Sequence, residues 1–131
     1  AEITGDTGFR TRASKSLNSV TELMERFPTG SGHWLTGLDF YLSEIDEIAI
    51  IGNNEQANTK MFAKDVHSVY NPHRILVGVD GNENSLTGLP LMQGKKLIDG
   101  LPTVYICRNY VCKSPTNDPN LFREMLHVTT T

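Results

Sequence analysis

The sequence predicts an α/β fold: an N-terminal helical hairpin followed by a small, mostly parallel three-stranded sheet with flanking helices. Three observations predict it. Before Glu44, apolar residues recur at helical spacing. The solid apolar runs at 48–51 and 75–79 then have the length and β-branched content of strands covered on both faces. A helical pattern lies between those runs, which is the rhythm of a βαβ unit with a right-handed crossover.

Residues 1–10 are polar, carry Gly5 and Gly8, and are expected to be loose; the loose segment is placed at 1–13. From Ser14 to Phe27, the residues Leu17, Val20, Leu23, Met24 and Phe27 form one apolar helical face. Pro28, Thr29 and Gly30 stop that helix. Ser31 can cap a second one, with Trp34, Leu35, Leu38, Tyr41 and Leu42 on one side. The short break makes the pair an antiparallel hairpin over 14–44.

The α/β domain is placed at 45–131. Its first strand, Ile48-Ala49-Ile50-Ile51, ends at Gly52. Asn53 and Gln56 have the spacing of a capping box for the next helix, which carries Phe62, Val66, Val69 and Tyr70. Asn71-Pro72 ends it, and Ile75–Val79 is the second strand. Residues 80–101 form a long connection in which Leu89 to Leu97 can hold a helical turn, and which could line a site or dock on another domain. Thr103–Ile106 reads as the third strand. Asp118 before Pro119 opens the last helix, with Leu121, Phe122, Met125 and Leu126 as its apolar face.

The chain has 131 residues, a formal net charge of −3 and 38% hydrophobic content, which fits one globular domain with a real core. Its basic residues are scattered, and no nucleic-acid partner is expected. No apolar run reaches membrane-spanning length, so no membrane partner is expected either. The opening at Ala1, without Met or a signal-like segment, is that expected of a piece of a longer protein. Two cysteines are too few for a secreted disulfide scaffold, and a reducing, cytoplasmic location is the default expectation.

Four groups carry candidate chemistry. Cys107 and Cys112 are spaced Cys-x4-Cys. If residues 108–111 form a four-residue hairpin loop, the two Cα atoms come to about 5.5 Å and a disulfide can form. If the segment is extended, they point apart. Packed, reduced thiols, a disulfide, metal ligation and catalytic redox remain alternatives in that order. The apolar neighbours and the lack of Cys-x-x-Cys at a helix start favour a structural role. Gly52, Asn53 and Asn54 lie at a strand-to-helix turn where free N–H groups could bind an anion, although capping alone explains the asparagines. Asp39 interrupts the apolar stretch Leu38 to Leu42 and could face a cleft. Glu44, Asp46 and Glu47 read as an acidic helix exit. No metal site is expected, since His33, His67, His73 and His127 lack ligand-like spacing, and no cofactor is expected. Neither a nucleophile elbow nor a phosphate-binding loop motif occurs.

Several segments carry a resemblance: 31–42 leading into Glu47–Gly52, then Tyr70-Asn71-Pro72, then Tyr105–Cys112, and Pro115-Thr116-Asn117-Asp118-Pro119. Together they resemble the C-terminal region of the thioredoxin-domain-containing protein family, which includes the spermatogenesis-associated proteins of animals. The Cys-x4-Cys with its Asp-Pro helix start is the most specific part. In that family an N-terminal thioredoxin-like domain precedes a helical barrel resembling those of sugar epimerases. The resemblance implies that the first two helices close the parent's barrel. It implies no catalytic residue here, and it assigns no role to Cys107 or Cys112.

The expected function is that of a non-catalytic C-terminal accessory domain of this larger protein. The expected partners are the parent's other domains, with self-association possible. Part of a carbohydrate-acting enzyme, or a small redox or metal module using Cys107 and Cys112, are the alternatives. Trp34 is expected to belong to a surface meant for another domain or another copy of the chain.

Overall fold

The computed structural model describes residues 1–81 and 88–128. Among the described residues, five α-helices and one four-stranded sheet follow in this order: α1 (Thr7–Ser19), α2 (Thr21–Arg26), α3 (Gly32–Leu42), β1 (Asp46–Ile51), α4 (Ala57–Ser68), β2 (Arg74–Val79), β3 (Thr103–Arg108), β4 (Val111–Cys112) and α5 (Pro119–Val128). The sheet order is β2-β1-β3-β4. β1 and β2 are parallel, joined through α4 as the apolar rhythm predicts. β3 runs antiparallel to β1, and β4 antiparallel to β3.

The expected three-stranded, mostly parallel sheet is therefore corrected to a four-stranded mixed one. Thr103 pairs with Ile51, so β3 starts at the end of the sheet where β1 and β2 finish. The connection has only to cross that end. A parallel β3 would need a crossover running back the whole strand length. Among the described residues of the 80–101 segment, only a 3-10 turn at Pro90–Met92 is regular, which is too short for that return.

β1 is buried along its whole length; the apolar run from Ile48 to Ile51 accounts for its last four positions, while Asp46 and Glu47 are buried polar residues. On one sheet face, Ile48, Ile50, Val104 and Ile106 meet Phe62 and Val66 of α4 and Phe122 and Leu126 of α5. The Phe62 and Phe122 rings pack edge to face, with centroids 5.4 Å apart. On the other face, Ala49, Ile51, Tyr105 and Cys107 are covered by Leu91 and Met92 of the connection, with Leu89 and Leu97 beside them. The described part of the connection is thus a core layer; residues 82–87 lie outside the described residues.

The helical region differs from expectation in two places. Residues 7–13, read as loose, are the first turns of α1, begun by the Asp6 carboxylate accepting the Gly8 N–H at 2.7 Å. The helix expected over 14–27 breaks at Val20. There the Ser19 and Thr21 hydroxyls donate to the carbonyls of Ser16 and Leu17, which competes with regular backbone pairing. Ser31 precedes α3 but does not cap it through its side chain; its hydroxyl turns to the Leu23 carbonyl. The last helix starts as expected, with the Asp118 carboxylate accepting the Asn120 N–H at 2.8 Å. α4 ends at Ser68, and Tyr70 lies outside the core at 85% exposure. Arg74 holds that helix end, donating to the Val66 and Val69 carbonyls at 2.9 and 3.1 Å.

Candidate functional site

Two places combine chemistry with a defined shape. The first is a groove of about 510 Å³ between α1 and α3, floored by Ala1 and Glu2. Its walls are largely apolar: Phe9, Ala13 and Leu17 from α1, and Trp34, Phe40 and Tyr41 from α3. Helical spacing puts each set on one face. Arg10 lies at the groove, paired with Glu2 at 2.9 Å and stacked 4.8 Å from the Tyr41 ring centroid. Trp34 remains 40% exposed.

The second is the β3–β4 hairpin. Cys107 and Cys112 are cross-strand partners joined by a disulfide, with Cα atoms 3.8 Å apart. The expectation of packed, reduced thiols is corrected by this bond. The turn is also tighter than the four-residue loop considered above. Arg108 pairs with Val111, which leaves Asn109 and Tyr110 as the two turn residues, both at positive φ (49° and 62°). That is the backbone of a type I′ turn, whose twist suits a two-residue hairpin. Lys113 N–H donates to the Ile106 carbonyl at 2.9 Å, so the Cys107–Cys112 pair occupies the non-hydrogen-bonded position, where strands approach most closely.

Tyr110 is an unusual residue for a left-handed backbone. Three contacts hold it. Its N–H donates to the Glu47 carboxylate at 3.0 Å, and its hydroxyl donates to the Glu2 carbonyl at 3.0 Å. The neighbouring disulfide ties the two strands on either side of it. The hairpin therefore clamps the same N-terminal segment that floors the groove.

Beneath the hairpin lies a buried polar cluster. Glu47 and Lys95 are 1% and 7% exposed. Burial pushes the Glu47 carboxyl up from its ordinary value; Glu2 adds to this, while the Tyr110 and Asn109 N–H groups and Lys95 oppose it. Burial likewise lowers Lys95, against the pull of Glu47. The Lys95 ammonium donates to the Leu91 carbonyl and lies 5.6 Å from the Tyr105 ring centroid. Asp46, also buried, accepts from Arg108 at 2.8 Å and from the Asn71 side chain at 3.0 Å. Asp46 and Glu47, read from sequence as a solvated helix exit, are thus β1 residues in the interior. Alternation along a strand could have flagged Glu47, since it shares a face with Ala49 and Ile51.

The other sequence candidates lie apart from both places. Asp39 is exposed and pairs with His73 just before β2. Gly52 is required where it stands: a Cβ there would come within 2.9 Å of Pro102 and 2.7 Å of the Thr59 hydroxyl. Asn53 forms a local turn, its side chain accepting the Glu55 N–H at 2.7 Å and its own N–H donating to Gln56 at 3.2 Å. Gln56 reaches back as a capping box predicts, but α4 begins one residue after it, so Asn53 is not the cap. Asn54 is exposed on the same turn. Among the described residues, no group of three or more His, Cys, Asp or Glu side chains is placed to hold a metal ion, and no helix is long and apolar enough to cross a membrane.

Fold and site together define a small α/β domain with a mixed four-stranded sheet, a disulfide-closed edge hairpin and an open aromatic groove. The chain is similar to spermatogenesis-associated protein 20 of Homo sapiens, with 30% identity over 113 residues, 85% of this chain and 14% of that protein. The Rattus norvegicus protein of the same name is 28% identical over 127 residues, covering 95% of this chain and 16% of its own length. The Mus musculus protein is 30% identical over 113 residues. The chain spans only 14% to 16% of the length of the human and rat proteins, which fits one domain of a larger polypeptide. No family model and no solved structure matches it.

Proposed function

We propose that this chain is a non-catalytic, cytoplasmic C-terminal domain of a larger thioredoxin-like, helical-barrel protein, and that it docks on the rest of that protein through the α1–α3 groove. One observation carries the reading: Trp34 and Phe9 are 40% and 49% exposed around an apolar hollow. Singly exposed apolar residues are ordinary, but clustered aromatic ones around a hollow mark a contact surface. The occupant is the remaining polypeptide of the parent, because the relatives carry some six-sevenths of their length outside the matched stretch. The catalytic work of the parent would then lie elsewhere in it.

Oxidative footprinting of Trp34 tests this. In the intact parent, Trp34 should be modified at least about tenfold more slowly than in the isolated chain, as expected for a side chain moved into an interface core. Equal modification in both would overturn the docking reading.

A further inference from the structure

We propose that the Cys107–Cys112 bond is an exchangeable disulfide: an external dithiol attacks the sulfur of Cys112, and Cys107 departs onto a proton supplied by Glu47. This stands apart from the docking reading, because exchange is read on the chain alone.

The two sulfurs have unequal surroundings. Cys107 is 1% exposed, whereas Cys112 is exposed on the outermost strand. The register places three residues in one row across the sheet: Glu47 on β1, Cys107 on β3 and Cys112 on β4. Thiol–disulfide exchange requires the incoming thiolate to approach along the S–S axis. At Cys112 that line comes from solvent beyond the sheet edge. At Cys107 it would have to come through Glu47 and the strand carrying it. The row therefore decides which sulfur is attacked and which leaves.

It also decides where the charge goes. A thiolate left at Cys107 would be a buried anion, which is costly unless neutralised. Glu47 is its cross-strand neighbour and is 1% exposed. The groups acting on Glu47 come from three other elements: Glu2 of the N-terminal segment, Lys95 of the connection, and the Asn109 and Tyr110 N–H groups of the turn. Burial outweighs the donors and leaves the carboxyl with a raised affinity for its proton.

The step balances. The thiolate of a dithiol bonds to Cys112 Sγ, the Sγ–Sγ bond breaks, and its electron pair leaves on Cys107 Sγ, which takes the Glu47 proton. The second thiol of the reductant then displaces Cys112 from the mixed disulfide, and its proton passes through water to the Cys112 thiolate. The protein disulfide is reduced by two electrons, the dithiol is oxidised to a disulfide, and Glu47 recovers its proton from solvent.

Dithiothreitol and glutathione serve as probes on the folded chain. Reduction should be first order in dithiothreitol and faster than global unfolding, with the helical signal retained. Acid quenching during exchange with glutathione, followed by peptide mapping, should find the adduct on Cys112. Glu47→Gln keeps an oxygen acceptor for Tyr110 but has no proton to give. It should slow reduction at least about tenfold and remove the acid dependence that the wild-type rate shows beyond that of the reductant thiolate. Thiols that appear only at the unfolding rate, or an adduct on Cys107, would overturn the exchange. An unchanged rate and pH profile in Glu47→Gln would overturn the assignment of the proton donor.

Discussion

The backbone N–H of Tyr110 donates to the carboxylate of Glu47 at 3.0 Å, although 63 residues separate them. The bond links the tip of an edge hairpin to the most buried strand. It explains how a tyrosine keeps a left-handed backbone at a position where Asn-Gly or Asp-Gly turns usually put glycine. The carboxylate fixes the backbone, and the side chain is left free to reach Glu2.

Tyr110→Phe removes only the hydroxyl that donates to the Glu2 carbonyl. The loss should cost about 0.5–1.5 kcal/mol in denaturant unfolding, the range of a single hydrogen bond. Hydrogen exchange should quicken at residues 4–6 and stay unchanged at residues 48–50. An equal change at both places would mean that the tyrosine supports the sheet rather than the N-terminal segment.

Gly52→Ala forces a Cβ to within 2.7 Å of the Thr59 hydroxyl and 2.9 Å of Pro102. α4 or the approach to β3 must shift. The expected destabilisation is about 1–3 kcal/mol, as for overpacking elsewhere. A variant as stable as the parent sequence would show that the crowding relaxes without loss.

Stability should depend on pH through Glu47. Its carboxyl binds a proton more tightly folded than unfolded, because burial raises it from 4.5. The contribution is fully present below 4.5 and is lost as pH rises through the raised folded value. Glu47→Gln should flatten that part of the curve. Urea titrations at stepped pH check it, and a wild-type curve parallel to that of the variant would contradict the assignment.

Trp34→Glu places a charge on the rim of the groove. The isolated chain should self-associate at high concentration, since its aromatic hollow lacks the parent polypeptide, and the variant should not. Sedimentation velocity distinguishes them. A wild-type chain that stays monomeric throughout would remove the apolar groove as a contact surface.

Much of the fold was legible because its signals are local. The unbroken run of β1, the Asp118-Pro119 start of α5 and the core role of Phe62 and Phe122 all follow from spacing and capping. Strand direction was not local. Nothing in Thr103–Ile106 says which way it runs; that depends on the end of the sheet at which the preceding connection comes back. The break at Val20 turned on hydroxyls competing with the helix backbone, which apolar spacing does not register. The site was hidden for a related reason. Cys-x4-Cys leaves turn length open, and only the pairing of Arg108 with Val111 closes the disulfide. Glu47 looked like a solvated acid because it follows Glu44 and Asp46, and strand alternation was the one clue to its burial.

The central position of β1 carries a consequence for synthesis. Its two neighbours both come later in the chain: Ile48 waits for Leu76 on one side and for Ile106 on the other. A nascent chain released only to Val79 holds β1 and β2 with β1 lacking its second neighbour. Leu91 and Met92, which cover one face, and Phe122, which covers the other, are then still to be made. At translation rates of about 5–20 residues per second, that interval lasts a few seconds. During it, the strand that the finished fold buries most completely is open to other chains, and a holding chaperone would find its best target between Ile48 and Ile51.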